Sequence, residues 1–347
     1  MSDIFHRLCI YRSNGIGPAK YAEIMKNHRG SAEDAADSLN LSDDFIDGVK
    51  REMDLLDKIG GFYISDLDDD FPQNLRHAHG TTPILSAIGN RKTLAKRAFS
   101  AVGTRHATNA GMSLMRVITK RIAENDCAVV SGMAIGTDTA AHEGALAVDG
   151  DSNTIAVLAG GVDYVWPLEN QKLYDEIIRR GCVVSEIPVG QQPTQRHFAR
   201  RDKILAALGE KLILGESNEG SGSLITAGFA KEFGRRIYAI PSHPSDPRSY
   251  GPNRLIRENI ATLCMGPDDF FTKLELSACV VNTKMADFRA KTGIESQILD
   301  LLGTVPVNES DIAVGLGKNV SVIKRELVVM EVRGLVDKVD GGFVRKG

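Results

Sequence analysis

The chain has 347 residues, of which 42% are hydrophobic and 25% charged, with a formal net charge of −3. At about 150 residues per domain this length predicts two to three domains, and the composition excludes a largely disordered chain. No apolar run approaches the roughly 18–20 residues of a membrane span, and the opening MSDIFHRLCIYRSNG lacks the basic-then-apolar order of a signal peptide. The five cysteines, Cys9, Cys127, Cys182, Cys264 and Cys279, are far apart and form no CxxC. They read as reduced, buried thiols in a cytosol and argue against a zinc site.

Charge is uneven along the chain. Residues 1–88 hold nine Lys/Arg against fifteen Asp/Glu, a net of −6, while 89–279 carry +2 and 280–347 carry +1. The acidic front reads as short helices broken at Gly15–Gly17 and Gly30. Its GIGP turn resembles that of a helix-hairpin-helix, whose backbone N–H groups meet phosphates in DNA-binding versions. The surrounding negative charge favours a plain tight turn in a small helical domain. Asp66, Asp68, Asp69 and Asp70 could gather a metal, but a solvated turn ending at Pro72 is the simpler reading.

The middle alternates between two periods. Strand-like runs are FSAVG (99–103), CAVVSGM (127–133), TIAVLAGGV (154–162), CVVSEI (182–187), KLILGES (211–217) and RIYAIPS (236–242). Amphipathic helical stretches lie between most of them. Continuous apolar strands covered by helices predict an open, doubly wound, mostly parallel α/β sheet, which binds ligands at the carboxyl ends of its strands.

The polar residues after each run are therefore the candidates. Gly103-Thr104-Arg105 combines a residue that permits close backbone approach with a guanidinium fork suited to phosphate, unless Arg105 is spent on a neighbouring carboxylate. Asp138 and His142 lie one helical turn apart, as an acid–base pair or as a cap beside a satisfied histidine. Gly160-Gly161-Val162-Asp163, with Trp166-Pro167 and Glu169-Asn170 behind it, suits a ligand or a plain turn. Phe198, Arg200, Arg201 and Lys203 set one ring beside three cations, the pattern single-stranded nucleic acid requires, or else a half-buried ring on a solvated helix. Ser221, Gly222 and Ser223 expose N–H groups at a helix start, for an anion or for ordinary capping. Their GxGxx pattern lacks the third glycine, having Ile225, and lacks the distal acid, having Ser242, so NAD binding is disfavoured. No P-loop, GxSxG elbow or HExxH occurs.

After a weakly patterned stretch at 276–293 come three helical segments and two short strands around Asp340-Gly341-Gly342, the order of a winged helix-turn-helix. A recognition helix would begin near Asn319 and offer Lys318, Ser321, Lys324 and Arg325 to DNA; a protein-binding or merely structural wing is the other reading.

The ordered motifs FPQNL, AVGTR, VVSGMAIGTDTAAHEGAL, TIAVLAGGVDYVWPLEN, SEIPVG, FARRDKILAAL, ESNEGSGSLITAGFAKEFGR, AIPS and GPNRLI resemble the DNA-processing protein A family (DprA, or Smf), densely over about 70–260. The resemblance implies a non-enzymatic, cytoplasmic bacterial protein without a cofactor or membrane partner. It implies binding of single-stranded DNA, loading of the RecA recombinase in natural transformation, and homodimerisation. It places DNA-binding roles on Gly103, Thr104, Arg105, Phe198, Arg201, Lys203, Ser221, Gly222 and Ser223. It divides the chain into a helical, SAM-like domain (1–70), a Rossmann-like domain (71–275), a linker (276–293) and a winged helix (294–347). Here Asp202 replaces the family's usual asparagine between the two cations, putting an anion inside the patch. Ala199, Ser242, Asn259 and Ile260 are further departures. A related phosphoribohydrolase-type enzyme is the alternative, but Gly160-Gly161-Val162-Asp163 does not match its loop. A sequence-specific regulator acting through the winged helix is a third reading.

Overall fold

The computed structural model describes residues 3–150, 153–270, 293–303, 305–332 and 335–346. Two compact units form, 1–277 and 278–347. The linker expected at 276–293 lies, but for its last residue, outside the described residues, as does Cys279.

The first unit opens with helices α1 (Asp3–Arg12), α2 (Pro18–Asn27), α3 (Ala32–Asp37) and α4 (Asp43–Lys58). Ser31 and Ser42 cap α3 and α4 by accepting from the backbone N–H three residues on. Leu8, Ile10, Tyr21, Ala35 and Val49 form their core together with Ile84. The strands follow as β1 (Gly61–Ser65), β2 (Ile84–Gly89), β3 (Ala98–Val102), β4 (Ala128–Ser131), β5 (Thr154–Val157), β6 (Cys182–Ser185), β7 (Lys211–Leu214), β8 (Arg236–Ala239) and β9 (Ala261–Leu263). They form one sheet in the order β1-β2-β6-β5-β4-β3-β7-β8-β9. The strands from β6 to β9 in that order run parallel, and β2 is antiparallel to both its neighbours. The six expected runs are β3 to β8. The outer strands β1, β2 and β9 were not among them, and β1 lies ahead of the boundary expected at residue 70.

The helices of this unit, in chain order, are α5 (Gln73–Arg76), α6 (Asn109–Glu124), α7 (Thr137–Leu146), α8 (Gln171–Arg180), α9 (Gln195–Leu208), α10 (Gly222–Glu232), α11 (Tyr250–Arg257) and α12 (Pro267–Phe270). Alternation along the strands divides the core. Phe99, Val129 and Ile213 meet Met115, Ile118 and Ala141 of α6 and α7 on one face. Val102, Val130, Leu212 and Leu214 meet Ile204, Leu208 and Ala227 of α9 and α10 on the other. Chain order runs from β3 through β4 and β5 to β6, then returns to β7 on the other side of β3. That reversal opens a crevice at the carboxyl ends of β3, β4 and β7.

The second unit holds α13 (Gly293–Leu301), α14 (Glu309–Leu316), α15 (Val320–Val332) and an antiparallel hairpin of β10 (Val336–Val339) and β11 (Gly342–Arg345). Asp340 and Gly341 make its two-residue turn, with Gly341 at φ 94°. Its own core contains Ile298, Ile312, Ile323, Leu327, Val336 and Phe343.

Candidate nucleic-acid interface

Glycines bring the rim loops together. A Cβ on Gly103 would lie 2.5 Å from Thr137 Oγ1, so only glycine lets the loop after β3 press against the start of α7. Gly136 has φ +83°, and a Cβ there would lie 2.6 Å from the Arg105 carbonyl. The Thr137 N–H and hydroxyl both donate to the Thr104 carbonyl, at 3.2 and 3.1 Å. The Thr104 N–H donates to the Glu216 carbonyl at 2.7 Å. The Glu216 carboxylate accepts from the Thr108 N–H at 2.7 Å and its hydroxyl at 2.5 Å, capping the approach to α6.

These loops and α9 enclose a cleft of about 380 Å³ whose lining includes Gly103, Thr104, Arg105, Phe198, Arg201, Ser221, Gly222 and Ser223. Eight of the nine expected binding residues therefore converge. Lys203 is the exception. Two residues beyond Arg201, it sits on the far side of α9, 5.8 Å from the ring centroids of Phe229 and Phe233. It faces a separate groove of about 570 Å³ shared with the Gly15–Pro18 turn and Arg200. An expectation of three cations in one cradle is corrected here, because residues two apart on a helix point about 200° from each other.

Arg201 also departs from expectation. It is buried, with Nη1 3.7 Å from Asp138 Oδ2 and Nε 3.4 Å from Asp202 Oδ1, and Nε makes no hydrogen bond. Its charge is committed to two carboxylates in the floor. A Cβ on Gly132 would fall on Nη1, so glycine is required for the guanidinium to reach Asp138. Burial, reinforced by Asp138, pushes the Asp202 carboxyl up to about 6 against the pull of Arg201 and Arg105. Burial raises Asp138 as well, against Arg201 and the N–H of Ala134.

Arg105 is different. It is exposed at the mouth, and no ion pair holds it among the described residues. Its guanidinium carbon lies 4.8 Å from the ring centroid of Trp166 and 5.8 Å from that of Phe198. The two rings meet edge to face at 5.5 Å. At the start of α10, the hydroxyls of Ser217, Ser221 and Ser223 are linked at 2.8 and 2.9 Å. The backbone amides of Gly222 and Ser223 have no backbone partner among the described residues.

The other candidates take structural roles. His142 is fully buried against the Thr154 hydroxyl at 2.7 Å, and burial drives its imidazole down to about 3, so it makes no acid–base pair with Asp138. The Gly160–Gly161 turn packs tightly on the backbone of residues 188–191. Asp68 and Asp70 clamp Arg91 at 3.1 and 2.6 Å, and no metal-binding cluster occurs among the described residues. Arg200 pairs with buried Glu186 at 2.7 Å. Cys9, Cys127, Cys182 and Cys264 are buried and free. Sequence reasoning gave Trp166 no distinct part and missed Glu216, since only the folded chain sets the indole against Arg105 and the Glu216 carboxylate against Thr108.

The fold and cleft define an α/β protein built on a large, mostly parallel sheet, with an open cleft at the switch of strand order. The chain belongs to the DNA recombination-mediator protein A family, whose model matches residues 62–275. It is 34% identical over 193 residues to the protein Smf of Synechocystis, an alignment spanning 54% of this chain and 48% of that relative's length. Its structure is similar to that of DNA processing protein A from Streptococcus pneumoniae, with a TM-score of 0.67, 28% identity and coverage of 78% of this chain and 96% of the other. The Helicobacter pylori DNA processing protein A, described for its single-stranded DNA binding mode, matches with a TM-score of 0.55 and 25% identity over 60% of this chain and 93% of its own. Both solved relatives are named for DNA processing, and the Helicobacter one also for single-stranded DNA binding.

Proposed function

We propose that the protein binds single-stranded DNA at the carboxyl rim of its sheet and delivers it to the RecA recombinase in natural transformation or another recombination process. The carrying observation is Arg105, exposed and without an ion pair among the described residues, laid against the rings of Trp166 and Phe198 at the mouth of the switch-point cleft. It supplies a cation for a phosphate, while Phe198 offers a face to a base at about 1–3 kcal/mol per stacked base. The amides at the start of α10 favour a second phosphate. Neither phosphates nor ring faces identify a base, so little sequence preference is expected. Family membership and the Helicobacter relative support the choice of an unpaired strand. In this reading the four front helices serve as the SAM-like domain and the 278–347 unit as a winged helix. The protein acts as a cytoplasmic homodimer.

An anisotropy titration of a single-stranded oligonucleotide against its duplex, at two salt concentrations, tests this. Tighter binding of the single strand is expected. Arg105→Ala should weaken it about tenfold, with the slope of log K against log salt falling by about 0.7. Duplex preference, or unchanged affinity in the folded variant, overturns the reading.

A further inference from the structure

Trp166 is the chain's single tryptophan; it stands 37% exposed and lines, with Phe198 and Arg201, a small pocket adjoining the cleft. The indole lies against the Arg105 guanidinium and meets the edge or face of Phe198, which itself lies 5.8 Å from the guanidinium of Arg201. An exposed arginine with no ion pair samples many rotamers, and ordering it on a ligand costs entropy. A carboxylate would order it but cancel the charge that a phosphate needs. An indole is the strongest aromatic partner for a cation, and it holds the guanidinium without neutralising it.

We propose that Trp166 is the positioning residue for Arg105, presenting its undiminished charge to a phosphate of single-stranded nucleic acid. This rests on the single-stranded DNA reading given above. The neighbouring carboxylates explain why the device is needed: Asp138 and Asp202 already occupy Arg201, and Asp202 is close enough to Arg105 to feel its charge. The ring platform keeps Arg105 at the mouth and away from that pair.

The test uses the full chain and a single-stranded oligothymidylate. Trp166→Ala should weaken binding about threefold to tenfold, and Trp166→Phe should restore most of it, since a phenyl ring also holds a cation but less strongly. On an Arg105→Ala background, Trp166→Ala should change affinity less than about twofold. In the free protein, Arg105→Ala should shift the emission of the sole tryptophan and raise its quenching by acrylamide. Circular dichroism and thermal melts establish that each variant folds. Wild-type affinity in folded Trp166→Ala, full additivity with Arg105→Ala, or unchanged emission in Arg105→Ala overturns the inference while leaving the function standing. A wild-type chain that does not bind the oligonucleotide overturns the function and the inference built on it, whatever the emission shows.

Discussion

Among single residues, the decisive fact is that the two cleft arginines have opposite assignments. Arg201 neutralises Asp138 and Asp202 in the floor, whereas Arg105 keeps its charge at the mouth. Arg201→Met leaves two buried carboxylates without a counter-charge and should cost about 3–5 kcal/mol in urea unfolding. Gly132→Ala should destabilise in the same direction by displacing the guanidinium. Asp202 also gives a pH signature. Its folded value of about 6 lies above the ordinary 3.8, so the folded state holds the proton more tightly than the unfolded chain. Its contribution to stability is greatest below 3.8, declines as pH rises toward 6 and is level above that. The stability gained by Asp202→Asn should therefore be larger at pH 7 than at pH 4. Protonation also removes an anion from the cleft. Single-strand affinity of the wild type should rise about threefold more than that of Asp202→Asn between pH 7 and pH 5, measured by anisotropy at fixed salt; His106, which also lines the cleft, is common to both.

Among the elements, the site depends on how loops after three strands are tied to one another. Glu216 follows β7, yet its backbone holds the loop after β3 and its side chain holds the approach to α6. Glu216→Ala leaves the Thr108 donors without that partner and should cost about 1–3 kcal/mol in thermal or urea unfolding. Because the freed loop carries Arg105, single-strand binding should fall with it. Helix α9 is fastened separately: Arg200 bonds Glu186, which also accepts from Tyr11 of α1. The strands β3 to β8 were legible because parallel strands buried on both faces are continuous apolar runs. The edge strands β1 (GFYIS) and β9 (ATL) were not, because short edge strands with exposed or half-buried residues carry little periodic signal. The Gly160–Gly161 turn looked as promising as Gly103, but Gly103 lines the cleft whereas Gly160 lines the small adjoining pocket with Trp166, Phe198 and Arg201.

Across the whole molecule, the front helices and the sheet share one compact unit, joined by Ile84 in the helical core and by Tyr63 donating to Glu52 at 2.7 Å. The unit at 278–347 has its own core and hairpin. Removing 278–347 should leave a folded sheet unit whose single-strand affinity stays within about twofold of the full chain, as expected for separate sites. Loss of all DNA binding in that truncation, by anisotropy, would assign the interface to the C-terminal unit instead. What the sequence by itself determined was the alternation of six strands with helices, the carboxyl rim as the place to look, and the family resemblance. These follow from periodicities of two and 3.6 and from ordered motifs, which are properties of the chain read locally. Only the tertiary structure decided which charges remain available. Whether an arginine meets an aspartate, an indole or solvent depends on side chains far apart in sequence, and the turn of α9 between Arg201 and Lys203 sends the two cations into different grooves.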